Sequence, residues 1–94
     1  MFTYIGLVRL TEEGQKKLHE APVYLEKIEK IITEEGGKLE DLYAVMGPWD
    51  FLAIVKYPDS ETAFRVLARI GMLDVVKTET FPAEKMDVFL KALV

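Results

Sequence analysis

The sequence predicts an α+β domain built on a four-stranded antiparallel sheet with helices on one side. Three observations carry that expectation. Four short runs are rich in β-branched and aromatic residues, two longer stretches repeat apolar residues at three- and four-residue spacing, and glycine or proline marks most boundaries between them.

Residues 2–10, Phe-Thr-Tyr-Ile-Gly-Leu-Val-Arg-Leu, are too short for a core helix and read as the first strand. Thr11 offers an N-cap oxygen, Glu12 and Glu13 suit a helix start, and Lys16 and Lys17 suit its end, so a short helical turn follows. Pro22 fits the first turn of a longer helix, where Tyr24, Leu25, Ile28, Ile31 and Ile32 form one apolar stripe and Gly36-Gly37 supply a left-handed stop. Residues 39–46 and 51–57 read as a hairpin across the loop Gly47-Pro48-Trp49-Asp50. Asp59 or Ser60 then caps a helix with a stripe of Ala63, Phe64, Leu67, Ala68 and Ile70 and a stop at Gly71. Residues 74–81 read as the last strand, and Pro82 as the start of a terminal helix with Met86, Phe89, Leu90 and Leu93 on one side. The order β-α-β-β-α-β plus a short C-terminal helix is that of ferredoxin-like folds, with sheet order 4-1-3-2 and residues 1–94 forming a single domain.

A 94-residue chain buries roughly 60 to 68% of its unfolded surface, enough for one modest core. It has no cysteine, which removes disulfides, thiolate metal sites and thiol nucleophiles. The net charge of −4, with both signs interspersed, offers no basic stripe for nucleic acid. The first strand begins at Phe2 and no apolar run approaches the ~20 residues that span a bilayer, so a cytoplasmic protein away from membranes is expected. There is no asparagine and one glutamine, and Glu and Lys are abundant; this predicts a thermophile protein melting above about 65 °C.

A sheet covered on one face should alternate apolar and polar residues, and the central strands do not. Phe2, Tyr4 and Val8 oppose Ile5 and Leu7, while Phe51, Ala53 and Val55 oppose Leu52 and Ile54, so both faces are apolar. The pattern predicts a homo-oligomer, a dimer or a multiple of dimers, whose sheets pack face to face as a dimeric α/β barrel. The terminal helix folding over its own sheet is the alternative.

Few residues can carry chemistry. His19 is the only histidine, so no His-cluster metal site can form within one chain, and neither metal nor cofactor is expected. In the Gly47-Pro48-Trp49-Asp50 loop, glycine permits close backbone approach, Trp49 offers a flat face and Asp50 a charge; together they could hold a small polar ligand. Equally, Asp50 could cap its own turn and Trp49 plug the sheet end. Thr78 and Thr80 share the side of Val76, and Tyr4 and Tyr43 could line the same cavity or simply pack.

This loop, with Leu10-Thr11, Gly36-Gly37-Lys38-Leu39, Met46, Pro58-Asp59 and Thr78-Glu79-Thr80, resembles the GYD-domain family, small bacterial and archaeal proteins named for a Gly-x-Tyr-Asp loop. The likeness spans nearly the whole chain. Here Trp49 stands where the family has tyrosine, removing a phenolic hydroxyl while keeping a surface that can stack. The resemblance implies the dimeric α/β-barrel superfamily and oligomerisation, and brings no established activity. A more distant likeness runs to the effector-binding domain of Lrp/AsnC-type regulators, which bind small effectors near subunit contacts; the DNA-binding helix-turn-helix of those regulators has no counterpart in this sequence. The superfamily also holds cofactor-free monooxygenases and isomerases, so fold alone does not choose. The leading expectation is a non-enzymatic module binding a small polar molecule beside the loop. The alternative is a cofactor-independent oxygenase or isomerase using Asp50 or His19 for proton transfer.

Overall fold

A computed structural model describes residues 1–94. The elements run β1 (Phe2–Leu10), α1 (Glu12–Lys16), a 3₁₀ turn (Leu18–Glu20), α2 (Ala21–Glu34), β2 (Lys38–Ala44), β3 (Phe51–Tyr57), α3 (Ser60–Gly71), β4 (Val76–Ala83) and α4 (Met86–Lys91). The four strands form one antiparallel sheet in the order β2-β3-β1-β4. This is the ferredoxin-like arrangement.

Local chemistry sets the boundaries. Thr11 starts α1 by accepting the Gly14 N–H, and its own hydroxyl donates to the Asp74 carbonyl at 2.8 Å, tying the turn to the chain entering β4. Gly36, at φ 95°, ends α2 as expected. Asp59 caps α3 through the Thr62 N–H at 2.8 Å, and its carboxylate also accepts the Thr62 hydroxyl at 2.7 Å. That second bond lets Thr62 enter the core without an unpaired oxygen.

Register divides the sheet into two faces. On one, Tyr4, Gly6, Val8 and Leu10 align with Ala53, Val55, Thr78, Thr80 and Val76 beneath α2 and α3. The core lies here: Tyr24, Ile31 and Ile32 of α2, Ala63, Val66 and Ile70 of α3, with Ala53, Val55, Tyr57, Val75 and Val76. A bulge at Glu40 in β2 lets Leu39 and Leu42, three residues apart, pair with Val55 and Ala53 on this same side. The other face presents Ile5, Leu7, Leu52 and Ile54, all only half buried, with Phe81 at one edge. Nothing in the chain roofs it: residues 84–94 are exposed throughout. The molecule measures 50 × 30 × 17 Å, and its least dimension accommodates one helical layer on one sheet.

Some expected details shift. The α3 stripe keeps Ala63 and Ile70 buried and Leu67 half-buried as expected, but it adds Thr62 and Val66 and leaves Phe64 72% exposed and Ala68 at the surface. Asp59 makes the threonine acceptable inside by accepting both its N–H and its hydroxyl. Gly71 is helical rather than a left-handed stop, and that conformation falls on Asp74, at φ 56°. Pro82 does not open a helix. It lies in β4 opposite Tyr4, on an edge strand where a missing N–H breaks no ladder, and α4 begins at Met86.

Candidate functional site

The segment joining β2 to β3 is built from the backbone outward. Gly47 turns the chain at φ 108°, a conformation costly for residues with a Cβ. Asp50 then locks the loop: its N–H donates to the Val8 carbonyl at 2.9 Å and its carbonyl accepts the Val45 N–H at 3.0 Å. Its carboxylate Oδ2 accepts the Leu10 N–H at 2.8 Å, so the side chain fastens the loop to the end of β1. A charge-assisted bond of this kind fixes geometry strongly. Of the two roles open to Asp50 in the sequence, capping is the one seen, but its acceptor serves the neighbouring strand and not its own turn.

Trp49 is held by a residue that sequence reading passed over. The Arg9 Nε–H donates to the Pro48 carbonyl at 2.8 Å, and the guanidinium carbon stands 4.7 Å from the centre of the Trp49 ring. Beside this pair lies an open depression of about 260 Å³ lined by Arg9, Trp49, Lys77, Thr78 and Glu79. Arg9 was visible as a charged residue on the same face as Ile5 and Leu7, but its significance depends on a pairing partner 68 positions later: Lys77 lies directly opposite it on β4.

The remaining expected residues do not converge on this depression. Tyr4 and Thr80 line a separate hollow of about 180 Å³ with Ser60, Ala63, Phe64, Leu67 and Pro82 on the helical side. Thr78 and Thr80 do share a side, and both reach a narrow crevice of about 50 Å³ between helices and sheet; only Thr78 also touches the Trp49 depression. Tyr43 pairs with Leu52 and therefore lies on the opposite face from Tyr4, 53% exposed. The bulge at Glu40 sets that phase. Tyr4 meets Tyr57 edge to face at 5.3 Å, a packing role.

Two tyrosines sense their surroundings. Burial pushes the Tyr24 phenol up, helped by the nearby Asp50 carboxylate, and its hydroxyl has no hydrogen-bond partner. Burial pushes Tyr57 up to about 12, with Tyr4 contributing. His19 is 80% exposed in the 3₁₀ turn, with Glu20 at 3.9 Å. No three His, Asp or Glu side chains converge as a metal site would require. No helix is long and apolar enough to cross a membrane.

Known proteins place this geometry among relatives. The GYD domain family model matches residues 4–93. A Thermus thermophilus protein, named glutamine synthetase and cystathionine beta-lyase binding protein, is 31% identical over 84 residues, which is 88% of each chain. A crystal structure from the same organism is similar over 90% of this chain and 95% of its own, with TM-score 0.59 and 26% identity. The feast or famine regulatory protein of M. tuberculosis, solved with L-methionine, is similar over 90% of this chain with TM-score 0.66 and 20% identity. This chain spans only 51% of that regulator, and the likeness is one of fold. With the family match running from the first strand through the terminal helix, and the Gly47–Asp50 loop within it, this chain belongs to the GYD domain family.

Proposed function

We propose that this protein is a non-catalytic binding module that works as a homo-oligomer, with subunits paired across the open sheet face and a small polar ligand received beside the Gly47–Asp50 loop. The observation that carries the proposal is the face formed by Ile5, Leu7, Leu52, Ile54 and Phe81, apolar and unroofed. Hiding even about 500 Å² per subunit would contribute on the order of 10 kcal/mol for each subunit before association costs. Met86, Phe89 and Leu90 of the exposed α4 extend the same kind of surface beyond the sheet. In the ligand site Trp49 is a wall, Thr78 offers a hydroxyl, and Asp50 holds the loop in place. Tyr4 and Thr80 serve the helical-side hollow, and Tyr43 the subunit contact.

The non-catalytic reading is supported by open hollows, by His19 standing in solvent and by Asp50 being engaged with backbone. Thermal shifts across a metabolite library test the ligand site. A stabilising compound whose effect falls at least tenfold in affinity in Trp49→Ala is expected; equal binding to the variant rejects the loop as its site.

A second reading, a module that docks on enzymes, is favoured by the Thermus relative, whose name gives it two enzymes as binding partners. Co-sedimentation with purified glutamine synthetase and cystathionine beta-lyase tests it. Saturable binding supports docking, and free sedimentation of both enzymes rejects it.

A further inference from the structure

Antiparallel pairing of β1 with β4 sets Arg9 directly opposite Lys77, on the face away from α2 and α3. Like charges in that position repel and destabilise the pair. Within the chain neither cation forms an ion pair: those present use Lys16, His19, Lys56, Arg65 and Arg69. Lys77 is exposed on a flexible stem, as other unpaired surface lysines are. Arg9 is held in place. Its Nε–H is committed to the Pro48 carbonyl at 2.8 Å and its planar head lies over Trp49, which keeps it at the depression that Lys77 also lines.

The Nη groups of Arg9 make no bond to protein, and Arg9 and Lys77 line the same depression together with Trp49. A pinned guanidinium fork with a second cation alongside matches a carboxylate or phosphate, whose oxygens take two parallel hydrogen bonds. Glu79 also lines the depression without an ion pair, leaving one net positive charge. That balance disfavours a polyanion and suits a small molecule carrying one oxyanion group. We propose that Arg9 and Lys77, with Trp49 as floor, bind the carboxylate or phosphate group of a small organic anion. The inference rests on the loop being a ligand site and specifies its ligand class.

Trp49 is the only tryptophan, so its fluorescence reports on this site alone. The assembled protein is titrated with sodium acetate and, separately, with inorganic phosphate, at ionic strength held constant with sodium chloride. A saturable change on the order of millimolar is expected, as suits a ligand of four or five heavy atoms. The arm with lower half-saturation identifies carboxylate or phosphate as the preferred group. Lys77→Gln is expected to weaken it at least tenfold, and Arg9→Lys to do the same because the fork is lost. In low-salt buffer without either anion, Lys77→Gln is expected to melt roughly 1–8 °C above the wild type, since cross-strand repulsion is relieved. A structural role for Lys77 would lower it.

A linear response shared by both variants, or a lower melting point in Lys77→Gln, overturns the proposal. So does a Lys77→Gln variant that lacks any titration and dissociates into single chains, because the partner copy would then supply the counter-charge. A neutral compound that stabilises the protein through Trp49, with no response to either anion, rejects the oxyanion site while leaving the loop as a ligand site.

Discussion

Tyr57 shows how one side chain imposes a pH dependence on the fold. An exposed tyrosine in the unfolded chain ionises near 10.0, whereas burial holds the folded one up to about 12. The unfolded state therefore loses its proton first, and the stability this residue confers is complete below pH 10.0 and disappears as pH rises toward 12. Urea denaturation across that window is predicted to show falling stability, with a shallower fall in Tyr57→Phe; an unchanged slope would rule the residue out as the source. Asp50 carries a prediction of a different kind. Replacing it with alanine leaves the Leu10 N–H without its 2.8 Å acceptor, and a loss of about 1–3 kcal/mol is expected from the denaturation midpoint. A loss below about 0.5 kcal/mol would mean the loop is held by its backbone bonds alone. The sequence made the loop conspicuous through its glycine, proline and tryptophan. It could not show that Asp50 serves a strand 40 residues away, or that Arg9 would meet Lys77, because both depend on register.

At the scale of elements, most boundaries were legible because short-range chemistry sets them: Thr11 and Asp59 cap, Gly36 stops, and apolar spacing marks α2. Errors arose where tertiary context overruled local preference. Pro82 looks like a helix start but is harmless in an edge strand, and the β2 bulge at Glu40 reverses the alternation that would have put Tyr43 beside Tyr4. The clamp between helices was equally hidden. Glu35 at the end of α2 receives Arg69 Nη1 at 3.0 Å and Arg65 Nε at 3.2 Å from α3, and these bonds hold its carboxyl below its ordinary 4.5. The Thr62 hydroxyl and N–H likewise hold Asp59 below 3.8. Both carboxylates are deprotonated more readily in the folded state, so their contribution is present above those ordinary values and is lost as pH falls through the lowered ones. Acid titration of stability is predicted to fall less steeply below pH 4.5 in Glu35→Gln than in the wild type. A matching slope would show that the clamp is not coupled to folding.

For the whole molecule, the sheet order and the two apolar faces were readable because side chains alternate strictly along β1 and β3. The structure adds that α4 stands clear of the open face, leaving Leu7, Leu52 and their neighbours without a roof from their own chain. Assembly through that face makes Leu52→Glu a disruptive change, because it puts a charge at the middle of the contact. Weakening by roughly thirtyfold or more is expected, the effect of about 2 kcal/mol at a contact centre. Folding of the variant is checked by its circular dichroism. The most direct test is sedimentation equilibrium of the wild-type protein at micromolar concentration. Pairing through the sheet predicts a mass of at least twice 10.7 kDa, and a single species of 10.7 kDa would contradict it.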